Sequence, residues 1–442
     1  MNEGPGMTPA RWAEIIAVGS ELLAPPRVDT NSIFLCGRLN DLGIEVRAKS
    51  VVGDRLPDVA ALLRAALART PLVILTGGLG PTRDDLTREA VAEVLGRPMA
   101  EDAGVLERIR RRFAERGVPM PDVNRQQALA PEGAIVVPNA HGTAPGLWIE
   151  HDGKLIILLP GPPGELQPMF EGLVRDRLLA LQAGAHVYRR EIRICGRTES
   201  DVEQTVLPIY APWVDEPLPI EITVLTAPGQ IELHCRVRSD NAAEANARLS
   251  EAVRQLTAAL APDVFSDDGR TLEQVVGQAL RERHWRIAVA ESCTGGLVSA
   301  RLTDVAGASD YVEANAVCYS NEAKSDWLGV PRALLSSEGA VSEPVAEAMA
   351  EGIRRRVAAE VGVAITGIAG PAGGTAGKPV GTVVIAAVTP DARAVRTYRF
   401  PGGRDRVRAF AAQTALDLVR RLLSGFGPGG GFVAPGVRER RP

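Results

Sequence analysis

The chain has 442 residues, 45% hydrophobic and 24% charged, with a net charge of −4; this is the composition of a globular protein with room for two or three domains. Slight acidity gives no electrostatic case for a nucleic-acid or anionic-membrane partner. Five cysteines without CxxC pairing (Cys36, Cys195, Cys235, Cys293, Cys318) argue against a disulfide frame or structural zinc, and without a span-length apolar run or signal-like N-terminus the expectation is a cytoplasmic protein.

The first block alternates strand and helix. Strands are predicted at Glu14–Val18, Ile44–Val52, Leu72–Leu75 and Lys154–Leu159, with helices at Thr30–Leu42, Pro57–Ala68, Asp85–Leu95 and Gly164–Leu173. Short buried strands alternating with helices imply a mostly parallel sheet covered on both faces. Residues 186–264 differ: strands at Glu191–Cys195, Glu221–Thr226 and Ile231–Val237 with helices at Thr198–Leu207 and Ala242–Leu260 form a small α+β unit. Pro262–Gly269 reads as a linker into a second α/β block, which ends near Leu423. The expected organisation is 12–178, 186–264 and 270–424, with a disordered Gly/Pro/Arg-rich tail at 425–442. The arginine runs Arg108–Arg116 and Arg354–Arg356 read as solvated helix faces.

Three strand-end loops of the first block carry glycine, proline and acidic residues. Thr76-Gly-Gly-Leu-Gly-Pro-Thr-Arg-Asp-Asp-Leu-Thr87 runs from a strand into a helix start, where glycines let backbone amides approach an anion. Asp84 and Asp85 would repel a phosphate unless a divalent cation lay between them, or they cap the helix. Val28-Asp-Thr-Asn-Ser32 and Leu158-Leu-Pro-Gly-Pro-Pro-Gly-Glu165 add Asp29, Asn31, Pro162 and Glu165.

These motifs resemble the molybdopterin-binding-like domain at the N-terminus of CinA proteins. The resemblance implies a three-layer α/β fold, a nucleotide ligand, and a metal-dependent ADP-ribose pyrophosphatase activity. Its implied nucleotide-binding residues are Gly77, Gly78, Gly80, Thr87, Asn31, Pro162 and Glu165, with Asp84, Asp85 and Asp29 for a divalent metal. The chain departs from the family pattern after Gly19-Ser-Glu-Leu-Leu23, where Ala24-Pro25-Pro26 replaces a glycine. Gly196-Arg-Thr-Glu-Ser-Asp-Val-Glu203 resembles the entry to that family's small KH-like unit; Thr198 reads as a helix N-cap, and the unit as a spacer and dimerisation element.

In the last block, Arg286–Ala290 is a predicted strand, and Glu291-Ser-Cys-Thr-Gly-Gly296 turns into a helix over Leu297–Thr303. Ser292 and Cys293 stand side by side where backbone amides could hold an oxyanion. His284 is the block's one histidine, and Lys324 and Lys378 its only lysines, so a lysine base is the alternative to histidine. A lysine in a partly dry site can lose its proton; a solvated Lys324 and a capping Ser292 are the plain readings. Taken together, ESCTGG, YSNEAK, GAVS, TGIAGPAGG, KPVGTV and FPGGRDRVR resemble the C-terminal CinA domain, which is similar to nicotinamide mononucleotide deamidases. The resemblance implies hydrolysis of nicotinamide mononucleotide to nicotinic acid mononucleotide and ammonia, without a cofactor. Ser292 is then the nucleophile, Lys324 its base and Tyr319 the support of the lysine, with amides near Thr294, Gly295 and Gly296 for the oxyanion. Thr366, Gly367, Gly370 and Gly373 would seat the nucleotide, and Arg404 or Arg408 its phosphate. Cys293 stays open as an alternative nucleophile, and a non-catalytic nucleotide-binding protein as an alternative function. A homodimer is expected from the resemblance alone.

Overall fold

The computed structural model describes residues 11–181 and 186–427. It divides into two compact units, one running to Val187 and including Arg238–Ala242, the other containing Tyr188–Val237 and the chain from Ala243. Residues 1–10, 182–185 and most of the expected tail fall outside the described residues. No described helix is long and apolar enough to cross a membrane.

In chain order the first unit contains β1 (Trp12–Val18), α1 (Thr30–Asp41), β2 (Glu45–Val52), α2 (Leu56–Arg69), β3 (Leu72–Thr76) and α3 (Thr87–Leu95). Then come β4 (Met99–Glu101), α4 (Ala103–Glu115), β5 (Leu129–Pro131), β6 (Ile135–Val137), β7 (Gly146–His151), β8 (Lys154–Leu159) and α5 (Pro163–Asp176). The main sheet has the order β2-β1-β3-β8-β7-β6. β2, β1, β3 and β8 are parallel; β7 and β6 extend the sheet antiparallel. Every residue of β3 is buried, because hydrophobic side chains cover both faces: one core layer includes Leu35, Leu39, Phe170 and Leu173, the other Val59, Leu63, Val91 and Leu95. Ala17 pairs with Thr76 and Thr76 with Leu159, so the three glycine, proline and acid loops emerge together at the carboxyl edge. β1 lies between β2 and β3, which makes this edge a topological switch point, the usual place for a ligand on such sheets.

The second unit begins with β9 (His186–Cys195), α6 (Glu199–Tyr210), β10 (Ile220–Ala227), β11 (Gln230–Ser239), α7 (Ala242–Leu260) and β12 (Val264–Ser266). Their sheet has the order β10-β11-β9-β12, and Thr198 caps α6 by accepting the Asp201 amide. The expected linker at 262–269 is therefore corrected: its centre is β12, paired antiparallel with β9. Phe265 of β12 and Cys195 of β9 belong to the same core as the last block, so this layer is not a detached spacer. Asp417, Arg420 and Arg421 reinforce the join, with Arg421 donating to Asp263 at 2.6 Å.

The remainder is α8 (Leu272–Arg283), β13 (Ile287–Glu291), α9 (Leu297–Thr303), β14 (Val312–Val317), α10 (Asn321–Leu328), α11 (Arg332–Glu338), α12 (Glu343–Arg356), β15 (Val361–Gly367), β16 (Thr382–Val388), β17 (Arg393–Arg399) and α13 (Arg404–Leu423). The sheet order is β14-β13-β15-β16-β17. β14, β13 and β15 are parallel; β16 and β17 are antiparallel additions. Glu291 pairs with both Val317 and Ile365, which brings the ends of three parallel strands to one edge, again with the switch point at the central strand. Both sheets thus sit in three-layer α/β arrangements.

Gly77 illustrates how tightly the first edge is built. It has φ +88°, and an added Cβ would lie 2.1 Å from the Val18 carbonyl oxygen. Gly77→Ala is expected to cost about 2 kcal/mol or more, from left-handed strain plus displacement of β1. Urea unfolding of the full chain checks this; an unchanged midpoint would refute it.

Candidate active site

At the carboxyl edge of the first unit lies a cleft of about 610 Å³, lined among others by Gly77, Gly78, Gly80, Asn31, Pro162 and Glu165, and by Asp29, Asp84 and Asp85. Several of these side chains are committed to holding loops. Asp85 accepts the Gly80 and Thr82 amides at 2.7 and 2.8 Å, so it is a loop cap. Asp29 is the N-cap of α1, accepting the Ser32 amide at 2.9 Å. Among the described residues, the one group of three metal-capable side chains with ligand atoms within 4.8 Å is Glu191, Glu232 and His234. The expected Asp29, Asp84 and Asp85 cluster is therefore not formed. Asp84 is the most open of the three; its bond from the Thr82 hydroxyl holds its carboxyl below the usual range. A divalent cation commonly takes one or two carboxylates and completes its shell with substrate phosphates and water, a role that Asp84 fits.

Thr87 is also corrected. It is fully buried, donates to the Gly77 carbonyl at 2.9 Å and does not line the cleft. Arg88, absent from the sequence reading, holds the glycine loop from behind by donating to the Leu79 and Gly80 carbonyls. Burial lowers its pKa, opposed by the charges of Glu89 and Asp85. Asn31 donates to the Gly161 carbonyl at 2.6 Å, while its Oδ1 is buried without a protein partner. Glu165 accepts from Asn139, which also accepts the His141 and Gly142 amides. The arginines of α4 are less uniform than a solvated face implies: Arg112 donates to the Ala140 carbonyl and, with Arg108 and Arg111, lines a separate cavity of about 350 Å³.

The edge of the last block carries a different chemistry. Ser292 follows β13 and is fixed on both sides: its amide donates to the Ile365 carbonyl at 2.9 Å, and the Glu291 carbonyl accepts the Cys318 amide at 2.8 Å. Lys324, on α10, is 1% exposed, and its Nζ lies 3.2 Å from Ser292 Oγ. The same nitrogen donates to the Cys318 and Tyr319 carbonyls at 3.0 and 2.9 Å, with the Ser320 carbonyl at 3.5 Å. Burial lowers the Lys324 pKa, against smaller opposing effects of Cys318 and Cys293. A neutral amine has two hydrogens and one lone pair. Two near carbonyls can take the hydrogens, which turns the lone pair toward Ser292. Lys378 donates to the Glu338 carbonyl and His284 caps α8, so neither supplies the serine with a base.

Other expected roles are redistributed. Tyr319 serves Lys324 through its backbone carbonyl; its ring is 59% exposed, and its hydroxyl accepts from Arg404 at 3.3 Å. Arg404 also donates to the Gly370 carbonyl. Arg408 donates twice to the Thr294 carbonyl, at 3.3 and 2.9 Å, and so holds the loop that carries Ser292. Thr366 donates to the Ala340 carbonyl, tying the Gly339–Ser342 turn to β15. Gly367 has no space for a side chain, since a Cβ would lie 3.0 Å from Cys293 Sγ and 2.8 Å from Val383. Gly370 and Gly373 take positive φ in the glycine loop after β15. Cys293 itself packs in the hydrophobic core, with its thiol pushed up to about 12 by burial; thiolate chemistry is disfavoured there.

The loop that carries Ser292 has one further member. Glu291 is fully buried and accepts the amides of Gly296, Val298 and Ser299 together with the Ser299 hydroxyl. Gly295 donates to the Ser292 carbonyl. The Gly295 and Gly296 amides are therefore occupied. Among the described residues, the amides of Cys293 and Thr294 make no hydrogen bond to another residue, and the Thr294 hydroxyl is buried without a partner.

Two family models match the chain, one over each α/β block. Residues 14–180 match the probable molybdopterin binding domain and residues 269–423 the CinA C-terminal domain. The chain is 44% identical to a CinA-like protein of Koribacter versatilis, over 93% of this chain and 99% of that protein. It is 44% identical to a putative competence-damage inducible protein of Symbiobacterium thermophilum, over 94% and 99%. A solved competence/damage inducible protein of Agrobacterium tumefaciens is 39% identical, covering 34% of this chain and 91% of that one, with a TM-score of 0.33. With matched relatives spanned nearly end to end, the chain belongs to the CinA family.

Proposed function

We propose that the C-terminal site is a serine–lysine amidase that converts nicotinamide mononucleotide to nicotinic acid mononucleotide and ammonia. The observation that carries this reading is the buried Lys324 amine 3.2 Å from Ser292 Oγ, with two carbonyls placed to take its hydrogens. Lys324 removes the Ser292 proton as Oγ attacks the carboxamide carbon. The resulting oxyanion meets the Cys293 and Thr294 amides. Lys324 then hands its proton to the departing nitrogen, ammonia leaves, and an acyl ester remains on Ser292. Water attacks that ester with Lys324 again as base, releasing the acid and restoring the serine. The Arg404 guanidinium, between Tyr319 and the Gly370 loop, is the candidate partner of the phosphate.

A second activity, ADP-ribose pyrophosphatase, is a reading of the N-terminal cleft that rests on its glycine loop, its volume and the family resemblance. Asp84 would hold a divalent cation there, which would supply charge neutralisation for the diphosphate.

Ammonia release from nicotinamide mononucleotide by the full chain, with and without EDTA, tests the main reading. EDTA-resistant turnover that disappears in Ser292→Ala is expected. No turnover in the native protein would overturn it and leave nucleotide binding without catalysis as the alternative.

A further inference from the structure

We infer that Glu291 is a positioning residue of the serine loop: its buried carboxylate takes up the amides at the start of α9 and so reserves those of Cys293 and Thr294 for the reacting oxygen. This rests on Ser292 being the nucleophile. A short loop leading into a helix presents several amides to one place, and here they divide into two sets. Gly296, Val298 and Ser299 donate to Glu291 at 3.0, 3.2 and 2.8 Å, and the Ser299 hydroxyl adds a bond of 2.5 Å. Among the described residues, the Cys293 and Thr294 amides donate to no other residue.

The carboxylate is not an ordinary helix cap. It comes from the last residue of the central strand, immediately before the nucleophile, and is 0% exposed. Strand pairing fixes its backbone on both sides, to Val317 and to Ile365. From that fixed point it pulls the next turn of chain back onto itself, setting the path of residues 292–296. Arg408 completes the clamp from α13 by taking the Thr294 carbonyl. Amides left unclaimed inside such a loop are available to an incoming oxyanion without reorganisation, which is the property that an oxyanion hole requires.

Glu291→Gln keeps the size of the side chain but replaces one acceptor oxygen with a donor facing amides. Ser299→Ala removes only the hydroxyl bond and retains the three amide bonds. For nicotinamide mononucleotide, Glu291→Gln is expected to lower kcat by about 10²-fold, the scale of losing an oxyanion donor. KM should change less than about threefold and the pH midpoint of the rate should stay in place, because Lys324 is untouched. Ser299→Ala, which keeps the three amide bonds, should lower kcat less than Glu291→Gln does. Labelling of Ser292 by a fluorophosphonate, whose phosphoryl oxygen uses the same donors, gives a readout independent of the natural substrate. If the native chain and Lys324→Ala label at the same rate, the serine–lysine reading itself fails. If the native chain labels and Glu291→Gln labels as fast while kcat is unchanged, the positioning role is overturned. Should Glu291→Gln not fold, a Ser299→Asp variant, which sets a second carboxylate against Glu291, is expected to slow labelling at least tenfold; an unchanged rate would equally overturn the inference.

Discussion

Lys324→Ala is expected to reduce ammonia release from nicotinamide mononucleotide by about 10³-fold, within the 10²–10⁴ range for losing a positioned general base. In the proposed reaction Lys324 receives the serine proton and returns it to the leaving nitrogen, so one residue would serve both steps. Lys324→Arg should be equally inactive: it keeps the positive charge but cannot lose a proton at working pH. Substantial activity in Lys324→Arg would show that charge, not basicity, is what the site uses. Ser292→Ala and Lys324→Ala should not add in the double variant, because the two groups act as a unit.

The pH dependence follows from the lowered lysine pKa. The neutral amine is the working form, so kcat/KM should rise with pH to a plateau, with its midpoint below the ordinary lysine value of 10.5. Stability shares the sign. Between the folded and unfolded pKa values the unfolded chain binds more protons, so folding gains stability as pH rises through that window. Below the folded value, the buried ammonium is a full liability. Lys324→Met should remove that slope, which denaturant titrations at a series of pH values would reveal.

Asp417→Ala is expected to destabilise the second unit by about 3–5 kcal/mol, the cost of leaving buried charge without its partner. Asp417 is 4% exposed and accepts from Arg420 Nε at 2.8 Å and Arg421 Nε at 2.7 Å. For Arg421, burial alone lowers the pKa, but the charge and hydrogen bond of Asp417 and the bond to Asp263 outweigh it and raise the value overall. Removing Asp417 leaves Arg420 with only the Val264 and Pro262 carbonyls and Arg421 with Asp263. Guanidinium unfolding followed by circular dichroism would check the loss. A change below about 1 kcal/mol, the scale of an exposed pair, would show that solvent reaches the cluster.

Much of this architecture was legible because it depends on local pattern. Leu72–Thr76 and Ile287–Glu291 are short, wholly buried runs, and each ends in a loop whose glycines mark a turn. The scarcity of lysine and histidine left a lysine base open for Ser292, and the resemblance to the family implied Lys324. What escaped depends on partners distant in sequence. β12 is three residues long and owes its existence to β9. β6 and β7 extend the first sheet through pairing with one another and with β8. Glu291 looks like a solvated strand end, and only the fold of the following turn reveals its four donors. Asp84 and Asp85 read as a pair from adjacency, yet Asp85 points its oxygens back at Gly80 and Thr82. Thr294 reads from the sequence as an amide donor, while its carbonyl is what Arg408 grips.

One helix joins both ends of this arrangement. α13 opens with Arg404 and Arg408 beside the serine loop and closes with Arg420 and Arg421 locked to Asp417 and Asp263. Twenty residues at 1.5 Å each make a rod about 30 Å long. Its far end is pinned by charge in the interior, so the near end cannot slide or turn independently. The two site arginines are thus registered like marks on a ruler whose zero lies several turns away, on the layer that carries β12.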